Sequence, residues 1–170
     1  RRMASSIASA PGAGSPAASE ATRTEAAATG AVVAGAIDMT SAVRSPGSTL
    51  KPLIYALAFE QGLAHPETLI DDRPTRFGSY APKNFDEGFQ GTVTVREALG
   101  HSLNIPAVKM LSAVGPGRLA GRLARAGIAT ELPPGTTPSL AVALGGIGMK
   151  LEDLAMLYAA IARGGMPVRL

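Results

Sequence analysis

The chain has 170 residues, enough for one domain with a sizeable core, and its formal charge of +3 and pI near 9.6 are only mildly basic. Lys and Arg do not cluster with aromatic residues, which argues against a nucleic-acid partner. The absence of cysteine excludes a disulfide framework and a thiolate metal site, and no apolar run is long enough for a membrane span.

Residues 1–30 are dominated by Ala, Ser, Gly, Thr and Pro, with Met3 and Ile7 the only large aliphatics, so this low-complexity segment is expected to be disordered. Residues 31–37, Ala-Val-Val-Ala-Gly-Ala-Ile, predict one short buried strand that Gly35 weakens. A helix is predicted from about Ser48 to Gln61 and is stopped by Gly62. Its Leu53, Ile54, Tyr55, Leu57, Ala58 and Phe59 make it apolar on nearly every side, and such a helix is buried. From His65 to Gly91 the chain is punctuated by Pro66, Pro74 and Pro82 and reads as irregular, an ordered loop packed over a site. Thr94-Val95-Arg96-Glu97 has the form of a capping box and opens a short helix ending near Gly100. Pro106 belongs to a second helix reaching about Val114, and Gly115-Pro116-Gly117 opens a third that ends at Gly127. The last helix, about Leu151 to Arg163, places Leu154, Leu157, Tyr158 and Ile161 on one apolar stripe. Helices dominate beyond the first strand, so any sheet is expected to draw its strands from elsewhere.

The chemistry centres on Ser48 and Lys51. Side chains three apart project from one helical face, so the Ser48 hydroxyl and the Lys51 amine are expected to meet within hydrogen-bonding reach, and Pro52 places both residues in the opening turn of the buried helix. A serine hydroxyl keeps its proton at neutral pH, but a desolvated amine loses its charge and can accept that proton. Free N–H groups at a helix start favour developing negative charge. The bland alternative is a serine N-cap with an exposed lysine one turn on. A second polar pair, Ser102 and Asn104, lies in the break between two helices. In an extended turn both face one cavity while Leu103 points inward. There a hydroxyl can relay a proton and a carboxamide can hold a peptide backbone. Alternatively Asn104 caps the helix near Pro106 while Ser102 satisfies a nearby carbonyl.

The block Arg44-Ser45-Pro46-Gly47-Ser48-Thr49-Leu50-Lys51-Pro52 resembles the active-site segment of penicillin-binding protein transpeptidases, most closely the bifunctional class A 1C type. Further blocks agree in order and spacing: Tyr80-Ala81-Pro82-Lys83-Asn84-Phe85-Asp86, Ser102-Leu103-Asn104-Ile105-Pro106-Ala107-Val108, Val114-Gly115-Pro116 and Ala143-Leu144-Gly145-Gly146. The Ser-Leu-Asn triplet, in place of Ser-Asp-Asn, departs from class A β-lactamases. The resemblance covers about residues 31–170. It implies an α+β fold of which this chain carries the helical part of a transpeptidase domain, with most of the sheet outside it. The family's Lys-Thr-Gly or Lys-Ser-Gly motif would lie beyond Leu170 and a glycosyltransferase domain upstream, so the chain is expected to be part of a longer protein.

The resemblance further implies a D,D-transpeptidase in which Ser48 is the nucleophile, Lys51 its base, Ser102 the proton relay to the leaving group, and Asn104 the substrate-binding carboxamide. The Ser48 N–H would donate to the oxyanion. Peptidoglycan stem peptides and β-lactams are the implied partners, no cofactor or metal is expected, and the location is the periplasm or cell envelope, with any membrane anchor outside this chain. The alternatives are a sensor that binds β-lactam or cell-wall peptide without turnover, and a chain that is catalytically incompetent in isolation. His101 and His65 read as loop residues. Asp71-Asp72 and Asp86-Glu87 read as solvated carboxylates, and Gly145-Gly146-x-Gly148 as a turn that allows close packing under the final helix.

Overall fold

The computed structural model describes residues 39–84, 88–166 and 168; the low-complexity segment and the strand expected at 31–37 lie outside them. The centre of the fold is helix α1, Lys51–Glu60, entered through a 3-10 turn at Gly47–Leu50. Pro52 fits in the first turn because the N–H groups there have no intrahelical acceptor. Leu53, Ile54, Tyr55, Leu57 and Ala58 are buried, as the all-round apolar pattern requires. Helix α2 is Val95–Gly100, opened by the expected capping box. Helix α3, Asn104–Val114, packs along α1 and buries Ala107, Val108, Leu111 and Val114. Helix α4, Pro116–Arg125, adds Leu119 and Leu123, and a second 3-10 turn at Leu140–Leu144 adds Val142 and Ala143. Each large aliphatic side chain buried in this cluster is worth about 1.5–3 kcal/mol. The α1–α3 contact therefore fixes the depth at which Lys51 enters the core.

Two antiparallel strand pairs flank the helices. Strand β1, Val43–Arg44, pairs with β4, Met149–Lys150, and β2, Leu69–Asp72, pairs with β3, Gly91–Thr94. The architecture is α+β, as expected, but two readings of the chain are corrected. The stretch from His65 to Gly91 is not irregular throughout, because β2 lies within it, in register from Leu69 opposite Thr94 to Asp72 opposite Gly91. Two apolar residues followed by two aspartates show no alternation; this strand exists because of a partner some twenty residues on. It also follows that the strands do not all come from elsewhere.

Helix α5, Leu151–Ala162, has the expected span, but its stripe is covered only in part. Leu157 is buried, whereas Tyr158 is 41% and Ile161 47% exposed. Tyr158 is not without a partner, since its hydroxyl donates to the Thr49 carbonyl at 2.9 Å. The glycine turn at 145–148 is indeed a place of close approach, but its partner is the chain around Ser45, not α5. A Cβ on Gly145 would lie 2.3 Å from Ser45 Oγ and 2.6 Å from the Gly47 nitrogen, and one on Gly148 would lie 2.6 Å from Val43 Cγ1. Ser45 Oγ donates to the Gly145 carbonyl at 2.7 Å. The glycines thus form a wall against which the approach to Ser48 is laid.

Candidate active site

Ser48 lies in the 3-10 turn and Lys51 is the first residue of α1, with the Lys51 N–H donating to the Ser48 carbonyl. In 3-10 geometry residues three apart eclipse one another, yet no hydrogen bond joins the Ser48 hydroxyl to the Lys51 amine, against the expectation that the two meet. They differ sharply in environment. Ser48 is exposed, and its hydroxyl makes no hydrogen bond among the described residues, whereas Lys51 is 1% exposed. Gly47 N–H donates to Ser45 Oγ at 3.3 Å, while the Ser48 N–H finds no acceptor among the described residues and is free to donate to an incoming oxygen.

The Lys51 amine is held by the break between α2 and α3. Its Nζ donates to the Ser102 carbonyl at 2.5 Å, to Asn104 Oδ1 at 2.7 Å and to Ser102 Oγ at 3.1 Å. Ser102 is in the left-handed region, φ 53°, the one non-glycine residue with positive φ among the described residues. Leu103 is extended and buried, so Ser102 and Asn104 both reach the amine while the leucine between them enters the core. The extended turn read from the triplet is therefore present, and Lys51 is what it encloses.

Burial lowers the Lys51 pKa from 10.5 to about 8. The three acceptors match the three protons of an ammonium group, and a neutral amine has only two to give. Two of the acceptors, a carbonyl and a carboxamide oxygen, can only accept. The third is a hydroxyl, which can turn its own proton toward the lone pair. Loss of the ammonium proton therefore costs least at Ser102 Oγ, also the longest of the three contacts.

Two residues of this neighbourhood were not picked out as functional from sequence. Asn84, buried, accepts the Asn104 N–H on its Oδ1 at 2.8 Å, and the Ile105 N–H at 3.5 Å, so it caps the start of α3. Asn104 itself is not the cap; it stands inside the helix, and its Nδ2 donates to the Lys83 carbonyl at 2.7 Å. Asp72 is fully buried and takes both Asn84 Nδ2 contacts at 2.8 Å and the Gln90 N–H at 2.9 Å. This corrects the reading of Asp71-Asp72 as a solvated pair. Asp71 is exposed and accepts from Thr92 Oγ1, but the pleat of β2 turns Asp72 inward. Asn84 lies in one of the quoted sequence blocks, which was the available signal; nothing local in sequence connects it to Asp72. His101 is exposed and is no partner of Lys51, and His65 is likewise exposed. A cleft of about 470 Å³ between residues 43–45, 131–133 and 145–148 contains none of Ser48, Lys51, Ser102 or Asn104. The site is thus defined by its hydrogen bonds and not by that cleft.

The family model for the penicillin-binding protein transpeptidase domain matches residues 12–169. The chain belongs to the penicillin-binding protein transpeptidase family. It is 50% identical over 134 residues to penicillin-binding protein 1C of Escherichia coli K12, a match covering 79% of this chain and 17% of that protein. Among solved structures it is similar to penicillin-binding protein 1A of Haemophilus influenzae, with 29% identity, a TM-score of 0.68, and coverage of 77% of this chain and 20% of that one. It is also similar to PonA1 of Mycobacterium tuberculosis in complex with penicillin V, with 26% identity, a TM-score of 0.66, and coverage of 74% and 36%. The chain spans about one sixth of the length of the curated relatives it matches, 17% for the 1C protein. Among its described residues no helix is long and apolar enough to cross a membrane.

Proposed function

We propose that this chain carries the nucleophile half of a D,D-transpeptidase site that cross-links peptidoglycan stem peptides in the cell envelope. Ser48 Oγ attacks the carbonyl carbon of a terminal D-Ala–D-Ala bond, and the neutral Lys51 amine takes the hydroxyl proton. The tetrahedral oxyanion receives the free Ser48 N–H. Collapse breaks the carbon–nitrogen bond, and the proton passes from Lys51 through Ser102 to the departing D-Ala amine, which leaves an ester on Ser48. An amine of a second stem peptide attacks that ester, gives up a proton by the reverse route, and releases Ser48 with a new amide bond formed; water in its place gives hydrolysis. Asn104 holds the substrate backbone by its carboxamide. A β-lactam, whose strained amide mimics the scissile bond, acylates Ser48 and stops there.

The observation that carries this reading is the buried Lys51 amine, its pKa lowered to about 8, gripped by Ser102 and Asn104 one turn from an exposed serine. A lysine serving only solubility would be in water with an ordinary pKa. Family membership supports the reaction class, and the M. tuberculosis relative is solved with penicillin V. The test is covalent labelling of the full-length natural protein that carries this sequence with a fluorescent penicillin. Label is expected on Ser48 and absent from Ser48→Ala. Label persisting in that variant would end the proposal.

A further inference from the structure

Asp72 and Asn84 form a buried polar pair that the proposed chemistry does not use. Asp72 is 0% and Asn84 5% exposed, and among the described residues no cation pairs with the carboxylate. A buried carboxylate is costly unless hydrogen bonds offset the lost water. Here three contacts do so: two from the Asn84 amide nitrogen and one from the Gln90 N–H. The consequence for Asn84 is that its orientation is fixed. With Nδ2 committed to Asp72 and to the Gly88 carbonyl at 2.9 Å, Oδ1 must face the other way, toward the Asn104 N–H. That bond holds the first residue of α3, whose side chain accepts from Lys51 Nζ. One continuous chain of hydrogen bonds thus runs from the end of β2 to the amine.

We propose that Asp72 and Asn84 are positioning residues for the acyl-transfer reaction: Asp72 orients the Asn84 carboxamide, and Asn84 pins the Ser102–Asn104 turn so that its oxygens converge on Lys51 Nζ. This rests on the function proposed above. Burial and the Asp72 charge together push the Tyr55 phenol up, and its buried hydroxyl has no partner among the described residues. Tyr55 is four residues from Lys51 on the same face of α1, but the Lys51 pKa is lowered by burial and not by the Asp72 charge. The other charged groups near the relay are Lys83, whose carbonyl takes the Asn104 amide, and Lys109 on α3, which donates to the Asp71 carbonyl. Neither is among the hydrogen-bond partners of Lys51. Without the Asn84 cap the turn is released, water reaches the amine and the Lys51 pKa climbs back toward its ordinary value.

The experiment measures the second-order rate of acylation by a fluorescent penicillin against pH, in the full-length natural protein, for wild type, Asn84→Ala, Asp72→Asn and the exchanged double variant Asp72→Asn/Asn84→Asp. Each single change should slow acylation about 10²-fold, the cost of a misplaced catalytic group, and Asn84→Ala should also move the midpoint of the pH profile upward. The exchanged pair moves the donor to position 72 and keeps at position 84 an acceptor for the Asn104 N–H, but loses the donor to the Gly88 carbonyl, so it should recover part of the rate and bring the midpoint back toward its original place. Single variants that fold, as judged by thermal melting, with rate within twofold and midpoint unchanged, overturn the proposal. So does loss of rate in proportion to the unfolded fraction with no shift in midpoint. If the single variants do not fold, the exchanged pair decides alone, and folding restored without acylation counts against the assignment. Ser48→Ala run alongside separates the two failures: label persisting there removes the function itself, whereas loss of label there with indifferent Asn84 variants removes only this inference.

Discussion

Four helices among the described residues end in the same way, and one of them breaks the rule that the others keep. After α1, α4 and α5 the chain turns through Gly62, Gly127 and Gly164, each with positive φ, and two backbone bonds close the end. For α1 these run from the Gly62 N–H to the Phe59 carbonyl and from the Leu63 N–H to the Ala58 carbonyl. Helix α2 closes with the equivalent pair, Ser102 to Leu99 and Leu103 to Ala98, but a serine occupies the left-handed position. An L-residue there costs about 1–2 kcal/mol relative to glycine. The three glycine caps only stop helices. The serine cap also delivers a carbonyl and a hydroxyl to Lys51, and those contacts are what holds a strained backbone in place.

The largest effect is expected from removing what the serine cap serves. Lys51→Met should lower acylation by about 10²–10⁴-fold, the range for loss of general-base assistance. Lys51→Arg should be equally inactive, since a guanidinium does not deprotonate in this range. In the wild type the rate should follow the neutral amine. It is level well above pH 8 and falls about tenfold per unit below it, because the Lys51 pKa is lowered to about 8. The sign for stability follows from the same shift. The folded pKa lies below the ordinary 10.5, so the unfolded chain binds this proton more tightly. The stability linked to Lys51 is complete above about 10.5 and is lost as pH falls through about 8. A pH–rate profile with no inflection near 8 would break the argument that burial tunes this amine.

A methyl group at Gly145 comes next. Its Cβ would meet Ser45 Oγ at 2.3 Å and the Gly47 nitrogen at 2.6 Å, at a φ of 93° that disfavours any side chain. Gly145→Ala should cost about 1–3 kcal/mol of stability and displace the turn that carries Ser48, so acylation falls with it. Denaturant unfolding and penicillin labelling together check this. The caps themselves are compared by a reciprocal pair. Ser102→Gly relieves the backbone but removes one acceptor of the buried Lys51 amine, so it should change stability by less than about 1 kcal/mol and still slow acylation at least tenfold, whereas Gly62→Ala should destabilise by about 1 kcal/mol and leave acylation per folded molecule unchanged. If Ser102→Gly were fully active, the serine would be an accident of sequence.

What could be read from the sequence divides along the same line. The helices were legible because their signals are local: the all-round apolarity of 53–59, the Thr94–Glu97 box, and Pro or Gly at the ends. Ser48, Lys51, Ser102 and Asn104 were legible because short spacing and a recognisable motif place them. That the latter pair meets the Lys51 amine was legible only as a possibility, since fifty residues separate them. Strand β2, the burial of Asp72 and the cap supplied by Asn84 were not legible. Each depends on a partner distant in sequence, and the residues involved, two aspartates and an asparagine among prolines, look from nearby like a solvated loop. The exposed half of the α5 stripe failed for the complementary reason: periodicity says which face is apolar but not what covers it.

The smallest effect is expected at the other end of α2, and it completes the comparison between a cap that only stabilises and one that also positions. Thr94 Oγ1 accepts the Glu97 N–H at 3.2 Å, and the Thr94 N–H donates to Glu97 Oε2 at 2.8 Å, a reciprocal pair in which the backbone contact is the main cause of the lowered Glu97 pKa. Thr94→Ala should take about 1 kcal/mol from stability, the usual worth of such a cap. The helix it starts is only six residues long and carries Ser102 at its far end, so fraying could in principle travel to the site. Three anchors oppose that: the buried Ala98 side chain, the Leu103 N–H bonded to the Ala98 carbonyl, and the Lys51 contacts on the turn itself. The cap at Thr94 and the cap at Ser102 should therefore be separable, with Thr94→Ala lowering the melting temperature while the acylation rate of the folded protein stays within twofold of wild type. A tenfold loss of rate in that variant would mean that Ser102 is held by α2 as a whole and not by its own contacts to Lys51.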